Sequence, residues 1–421
     1  MTDLQADQLD PRQTAATDGD WTAAIHELAA IERPSASDGE RRAAEWIAAR
    51  LKELGCRAKI EQEEAHGGYW WPIGLANAIA LIGGAVALRR RGRASRLLAA
   101  VAGGVSAAAL WDDLGHGSRW FRKALLPRRP TWNVVAETGD PGAERTIVLV
   151  AHHDAAHSGL VFHPALGRLS PRFLPRLHER SSHTLPVLYG VWLGPVMVCA
   201  GAITGFRRLL WAGLGLSLGA INAMTDIGVR SVVPGANDNL SAVGLLVGLA
   251  ASLRDRPIEG IRIVLLSTGS EESFSEGMQA FGDRHFGQLD RGRTEFLCLE
   301  CLGGPTMIVL EGEGMLRMRD YPRHMREALA NAAEAAGVSV QRGVRTVAAT
   351  DAVIALRAGY PVATLASVED TKLPLNYHWP SDTPDGLYWH TVSDAIAVCD
   401  RFLRERERGD TLSEAGEGPL E

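Results

Sequence analysis

The chain has 421 residues, 46% of them apolar, and a formal net charge of −6 at pH 7. That length is too great for one small domain and suits one large α/β domain with additions. The acidic balance and the lack of any basic domain argue against a nucleic-acid binder, and five cysteines at 56, 199, 298, 301 and 399 form no disulfide framework.

Residues 1–20 are polar, contain no signal-peptide pattern and read as disordered; the tail 409–421 reads the same way. Residues 21–68 begin the α/β domain with two helices and a strand. Trp21, Ile25, Leu28 and Ala29 keep helical spacing, Ser37 or Asp38 can cap the second helix, and Gly55 ends it. CRAKIEQEEA alternates as a strand does. Residues 69–112 form a first hydrophobic hairpin. Its first run, 69–88, has the roughly 20 residues a bilayer-spanning helix needs; the loop RRRGRASR follows, then a second run to Trp111. A second hairpin occupies 183–229, with runs at 185–204 and 209–225 separated by GFRR. Tyr69, Trp70, Trp71, Trp111, Tyr189 and Trp192 sit at run ends, as interfacial aromatics do. Abundant Gly and Ala suit close helix packing in lipid. The expectation is up to four membrane helices, against a plainer reading of buried core hairpins or helices lying on a membrane surface.

Residues 113–182 and 230–408 supply the rest of the α/β domain. TWNVVAET, TIVLVAHHD, IRIVLLSTG, EFLCLECLG and YPVATLAS read as strands, alternating with helices such as LSAVGLLVGLAASLRD and MREALANAAEAAGV. The fold class expected is α/β: a mixed, mostly parallel central sheet with helices on both faces, plus two inserted helical hairpins.

Several polar side chains stand at strand ends or in turns, where α/β enzymes place their sites. In VAHHD, His152 and Asp154 share a strand face; His152 can bind a metal and Asp154 can orient it. Read alone, the pair is an ordinary strand end. Asp238 in PGANDN can bridge two metals or merely cap the following helix. Of Glu271 and Glu272, after LLSTGS, one can bind metal while its neighbour takes a proton from water. Glu300 interrupts the apolar run FLCLECL, an expensive place for a carboxylate unless paired or metal-bound. Cys298 and Cys301, flanking it, read as buried structural thiols on opposite faces. His378 lies in a Pro/Asp-rich loop, and its neighbour Tyr377 can donate a hydrogen bond to a developing oxyanion. Imidazoles with carboxylates form a donor set suited to zinc.

Taken in order, VAHHD, PGANDN, GSEES, LECLGG, TDAVIALRAGYP and YHWPSDTPD resemble the co-catalytic di-zinc exopeptidases, a family of bacterial leucyl aminopeptidases, aminopeptidase Y and glutamate carboxypeptidase II. Each string is weak alone; the six in order carry the resemblance. It implies the zinc exopeptidase fold and two Zn²⁺ ions. One would be held by His152, Asp238 and Glu300, the other by Asp238, Glu272 and His378. It further implies Glu271 as general base, Asp154 as partner of His152, and a cis peptide between Asp238 and Asn239. Glu300 stands where the family commonly has Asp, Ser241-Ala242 replaces its usual Ser-Gly, and both hydrophobic hairpins are insertions.

The function expected is a zinc-dependent metallo-exopeptidase acting on peptides, an aminopeptidase, with a carboxypeptidase or an inactive receptor-like binding protein as alternatives. A full second ligand set disfavours a single-zinc cyclase, and hydrophobic runs almost free of ionisable residues disfavour a transporter or intramembrane protease. The hairpins imply contact with membrane lipid and a multi-pass location, in the plasma membrane. Arginines in RRRGRASR and GFRR favour cytoplasmic hairpin tips with the catalytic domain outside, although further arginines (168, 172, 176, 180) crowd the other side.

Overall fold

A computed structural model describes residues 19–90, 92–184 and 188–407. The segments expected to be disordered fall almost wholly outside the described residues, as do Arg91 and the first three residues of the third apolar run. Seven strands build the main sheet: β1 (Arg57–Ala65), β2 (Arg129–Gly139), β3 (Thr146–His152), β4 (Arg262–Thr268), β5 (Thr294–Glu300), β6 (Thr306–Val309) and β7 (Val362–Val368). Their order is β1-β2-β4-β3-β5-β7-β6. The inner strands β4, β3, β5 and β7 run parallel, and the remaining pairings are antiparallel. The sheet is thus mixed, with a parallel centre.

Among the described residues, ten longer helices surround or extend this sheet: α1 (Asp20–Ala29), α2 (Asp38–Glu53), α3 (Trp70–Arg90), α4 (Arg93–Leu114), α5 (Tyr189–Thr204), α6 (Arg207–Val229), α7 (Ser241–Asp255), α8 (Glu276–His285), α9 (Arg323–Ala335) and α10 (Trp389–Glu407). Ser37 caps α2, its hydroxyl accepting from the Glu40 N–H. The parallel strands are apolar on both faces because both are covered. Leu149, Leu265, Leu297 and Leu365 join one core with residues of α1, α2, α7, α9 and α10. Val148, Val150, Val264 and Phe296 join the opposite core, with Met278 and Phe281 of α8. Sequence reasoning missed β6 and a small three-stranded sheet (Gly312–Glu313, Arg319–Asp320, Arg345–Thr346), whose strands are too short to show a period.

The four apolar hairpin helices pack as a ring: α3 on α4, α4 on α5, α5 on α6 and α6 on α3. Small residues let the backbones approach. A Cβ on Gly103 of α4 would lie 2.7 Å from the Cys199 nitrogen of α5, and one on Gly213 of α6 would lie 2.8 Å from the Gly194 oxygen. The outside of the ring is apolar: Ile82, Leu97 and Trp211 are 64%, 66% and 61% exposed. Helices α3, α4 and α6 are long and apolar enough to cross a membrane; α5, with 16 described residues, is shorter.

Chain connections put this bundle beside the functional edge of the sheet. The α3/α4 hairpin interrupts the link between the paired strands β1 and β2, leaving after Ala65, which pairs with Arg129. The start of β2 lies by the carboxyl end of β4, since Val134 pairs with Ser267. The α5/α6 hairpin departs after β3, whose carboxyl end is His152. Both insertions therefore leave from the carboxyl edge of the parallel strands. Asp113 at the end of α4 holds the buried Arg122 at 2.9 Å, and Arg122 donates to the Ser273 carbonyl, so the bundle is tied to the loop after β4.

Candidate metal centre

The expected site residues converge at the carboxyl edge of the sheet. His152 ends β3, Glu300 ends β5, and Glu271 and Glu272 lie in the turn after β4. Asp238 lies in the bend before α7, and His378 in the loop after β7. Asp238 spans the two imidazoles. Its Oδ1 is 3.2 Å from His152 Nε2, and its Oδ2 is 3.2 Å from His378 Nε2. Glu300 approaches His152 Nε2 at 3.5 Å, Glu272 approaches His378 Nε2 at 3.1 Å, and Glu271 lies 3.9 Å from His152 Nε2. Potential ligand atoms cluster within 4.8 Å as His152, Asp238 and Glu272, and again as Asp238, Glu300 and Cys301.

Asp154 reaches His152 differently from the expectation. Strand β3 stops at His152, so the shared-face argument does not apply. The His153 N–H donates to the Thr268 carbonyl at 2.9 Å as the last rung, where β4 itself ends. Asp154 Oδ1 still lies 3.4 Å from His152 Nδ1, and its carboxylate accepts from the Glu271 N–H at 3.0 Å and the Glu272 N–H at 3.1 Å. One buried carboxylate thus orients an imidazole and folds the turn that presents both glutamates. Cys301 also departs from its reading as a purely structural thiol. It lies just past β5 with φ of 51°, and its Sγ is 3.3 Å from Glu300 Oε1. Cys298 stays in the core. Tyr377 is half-buried in the cavity wall, its ring stacked on His378 at 3.9 Å between centroids.

A buried scaffold that no local pattern reveals holds these elements. The Arg33 guanidinium donates to the carbonyls of His153, Pro234 and Gly235, joining the two ligand-bearing loops. Asp382 accepts from the Asn237 and Asp238 N–H groups. Asn239 donates to the Leu299 carbonyl and accepts from the Cys301 N–H, fixing the bend to the end of β5. Ser35 donates to Asp154, and Thr268 donates to Asp351. The Asp238–Asn239 peptide is cis.

Electrostatics fit a cation. Asp154, Asp238, Glu271, Glu272, Glu300, Asp351 and Asp382 crowd around two imidazoles and Arg33. Burial lowers His378, but Glu272 and Asp238 outweigh it and hold the imidazole up at about 10. His152 is likewise held high against its burial by Glu271 and Glu300. Burial pushes Glu272 up to about 7, with Asp238 reinforcing it against the pull of His378, and pushes Asp351 up to about 7. So many carboxylates are tolerated away from water when they pair or coordinate. Among the described residues, the buried Glu272 Oε1 has no hydrogen-bond partner, and Asp238 Oδ2 meets the His378 imidazole without a well-aligned hydrogen bond. Such under-satisfied oxygens beside imidazoles, in an N/O donor set, fit zinc.

Residues 223–403 match the family model of Peptidase family M28. The match runs from the last turns of α6 into α10; it includes Asp238, Glu271, Glu272, Glu300 and His378 and leaves out His152 and Asp154. No curated protein matches the chain. Among solved structures, the chain is similar to the zinc aminopeptidase BSAP from Bacillus subtilis: 13% identity, TM-score 0.53, covering 92% of this chain and 94% of that one. It is similar to the aminopeptidase from Aneurinibacillus sp. strain AM-1, at 12% identity and TM-score 0.53, covering 95% and 96%. It is equally similar to the glutaminyl cyclase of Fimbriiglobus ruber, at 12% identity and TM-score 0.53, covering 96% and 97%. At such identities the likeness concerns the fold alone: a mixed α/β sheet with helices on both faces, shared by aminopeptidases and glutaminyl cyclases.

Proposed function

We propose that this chain is a membrane-anchored zinc exopeptidase, an aminopeptidase using two zinc ions. The observation that carries the reading is Asp238 spanning two imidazoles, one oxygen to each. His152, Asp238 and Glu300 would hold one ion, and Asp238, Glu272 and His378 the other. Two ions there would polarise the scissile carbonyl and acidify the attacking water. Glu271, whose backbone is fixed by Asp154, takes the proton of that water as it adds to the carbonyl carbon. It then hands the proton to the leaving nitrogen as the C–N bond breaks. Asp154 keeps His152 oriented through Nδ1, and the Tyr377 hydroxyl donates to the developing oxyanion.

Selection of an amino terminus over a carboxylate is favoured by the cavity's charges. Among its described lining residues there is no arginine, and the Lys372 Nζ already donates to the His178 and Ser181 carbonyls. A carboxypeptidase would need a basic group aimed at the substrate.

The bundle α3–α6 supports a multi-pass membrane anchor, because its outward side chains are apolar and three of its helices, α3, α4 and α6, have spanning length. Its far loops are basic: Arg89, Arg90 and Arg93 in one, Arg207 and Arg208 in the other, with Arg96 donating to the Ala202 carbonyl between them. By the excess of Lys and Arg on cytoplasmic loops, the α/β domain faces away from the cytoplasm.

The test is hydrolysis of paired peptides with free and blocked amino termini, with and without chelation and zinc restoration. Zinc-dependent cleavage of the free-amine peptides alone is expected. Cleavage of the blocked peptides instead would make it a carboxypeptidase. Cyclisation of amino-terminal glutamine without hydrolysis would assign it the cyclase activity named for the Fimbriiglobus ruber structure.

A further inference from the structure

The cavity holding the metal centre does not end there. It has a volume of about 460 Å³, with Asp238, Glu271, Glu300 and His378 at one end, and it continues along one face of α6. That face is Ile227, Met224, Ala223, Ala220, Gly219 and Gly215. Spaced at helical intervals, these residues make a continuous strip about 18 Å long at 1.5 Å per residue. The strip is apolar throughout, and exposure changes along it. Ile227, Met224 and Ala220 are buried, whereas Gly219 and Gly215 are exposed on the bundle's outer surface. A Cβ at Gly215 or Gly219 would meet nothing within 4 Å, unlike the tightly packed Gly213. These two glycines therefore border open space at the cavity and do not serve helix packing. Leu188 and Val191 of the third apolar segment, with Val347 and Leu373, line the same cavity.

We propose that the enzyme acts on an amphiphile: a short peptide carrying a linear hydrocarbon chain, with its scissile amide at the metal centre and its chain laid along α6 toward the bilayer. The inference rests on the zinc-peptidase and membrane readings above. An extended peptide would not suit the strip. Its backbone N–H and C=O groups would face aliphatic side chains and a helix whose own backbone is already hydrogen-bonded, and each unsatisfied group is costly. A hydrocarbon chain has no such groups. The groove also opens on the side of the bundle that would meet lipid, so a membrane-dissolved substrate enters laterally without exposing its chain to water.

The experiment uses the full chain in lipid nanodiscs and two leucyl-lysine dipeptides, one with myristoyl and one with acetyl on the lysine Nε. The myristoyl peptide is expected to be cleaved with a kcat/KM on the order of tenfold or more above the acetyl peptide, since each buried methylene adds favourable transfer energy. Gly219→Leu and Gly215→Leu, which fill the groove, should bring that ratio close to one. Leu218→Trp, on the exposed face outside the cavity, should leave the ratio unchanged. A ratio near one for the unmodified protein, with the acetyl peptide still cleaved in a zinc-dependent way, overturns the inference and leaves the peptidase reading standing. If neither peptide is cleaved, the peptidase reading fails, and a photoreactive acyl chain on the same peptide decides the groove separately. Labelling of the tryptic segment 209–230, or of Leu188, Val191, Val347 or Leu373 across the same cavity, supports the groove, and labelling elsewhere overturns it.

Discussion

Helices α6 and α7 are nearly alike in composition and opposite in setting. The α6 window and the window that includes α7, Ala236–Asp255, have the same mean hydropathy of 1.2. Yet the first is 33% buried and the second 89%. Helix α7 lies under the sheet with Leu245, Leu246 and Leu249 wholly enclosed, whereas α6 turns Trp211 and Leu218 outward. Apolarity therefore says that a helix avoids water, and its neighbours decide whether protein or lipid replaces the water. The same contrast separates the two regions of the molecule. The α/β domain hides its apolar surface and gathers carboxylates at one edge; the bundle shows its apolar surface and contributes a wall to the cavity.

The largest expected effect tests whether the chemistry belongs to the α/β domain. Glu271→Gln should lower kcat by about 10²–10⁴-fold, the contribution of a general base, with zinc content by atomic absorption unchanged. Normal turnover would remove Glu271 from its role. Next comes a matched pair of truncations in the two apolar settings. Leu246→Ala, in the closed core, should cost about 2–5 kcal/mol, and Leu97→Ala, on the bundle's exterior, less than about 0.5 kcal/mol. Thermal unfolding in one detergent measures both; equal losses would mean that Leu97 is packed against protein and not lipid.

The third prediction concerns the junction between the regions. Glu276, at the start of α8, accepts from the His66 and Gly67 N–H groups and lies near Arg119 and Arg122. Burial opposes its ionisation, but these partners hold its carboxyl down at about 2. A carboxyl depressed in the folded state adds stability that is fully present above its unfolded value near 4.5 and fades as pH falls toward 2. The contribution is roughly 3 kcal/mol at neutral pH by the linkage of pKa shift to stability. Glu276→Gln should therefore flatten the pH dependence of unfolding between about 4.5 and 2. A variant that loses stability as steeply as the parent over that window would mean that Glu276 is not the titrating group.

Much of this was legible in the chain. The parallel centre follows from uninterrupted apolar strands such as IVLLST and FLCLE, because only a sheet covered on both faces hides them. The hairpins follow from length and composition; of the polar site residues only Glu300 stood out against its local pattern, and the others were legible through the order of the six strings. Arg33, Asn237 and Asp382 were not. Each makes its decisive hydrogen bonds to partners 66 to 202 positions away, and a side chain bonding that far along the chain leaves no periodic trace near itself. The end of β3 was hidden for a related reason, since the neighbouring strand, and not VAHHD itself, sets the last rung.

By itself, then, the sequence determined the periods, the apolar runs and the order of the polar strings, all properties of neighbours along the chain. Tertiary structure alone decided that Asp238 spans two imidazoles, that Asp154 folds the glutamate turn, and that α6 turns apolar side chains outward on one side and lines the site cavity on another. Those are distances between segments far apart in the chain, and only the packing of sheet, loops and bundle sets them.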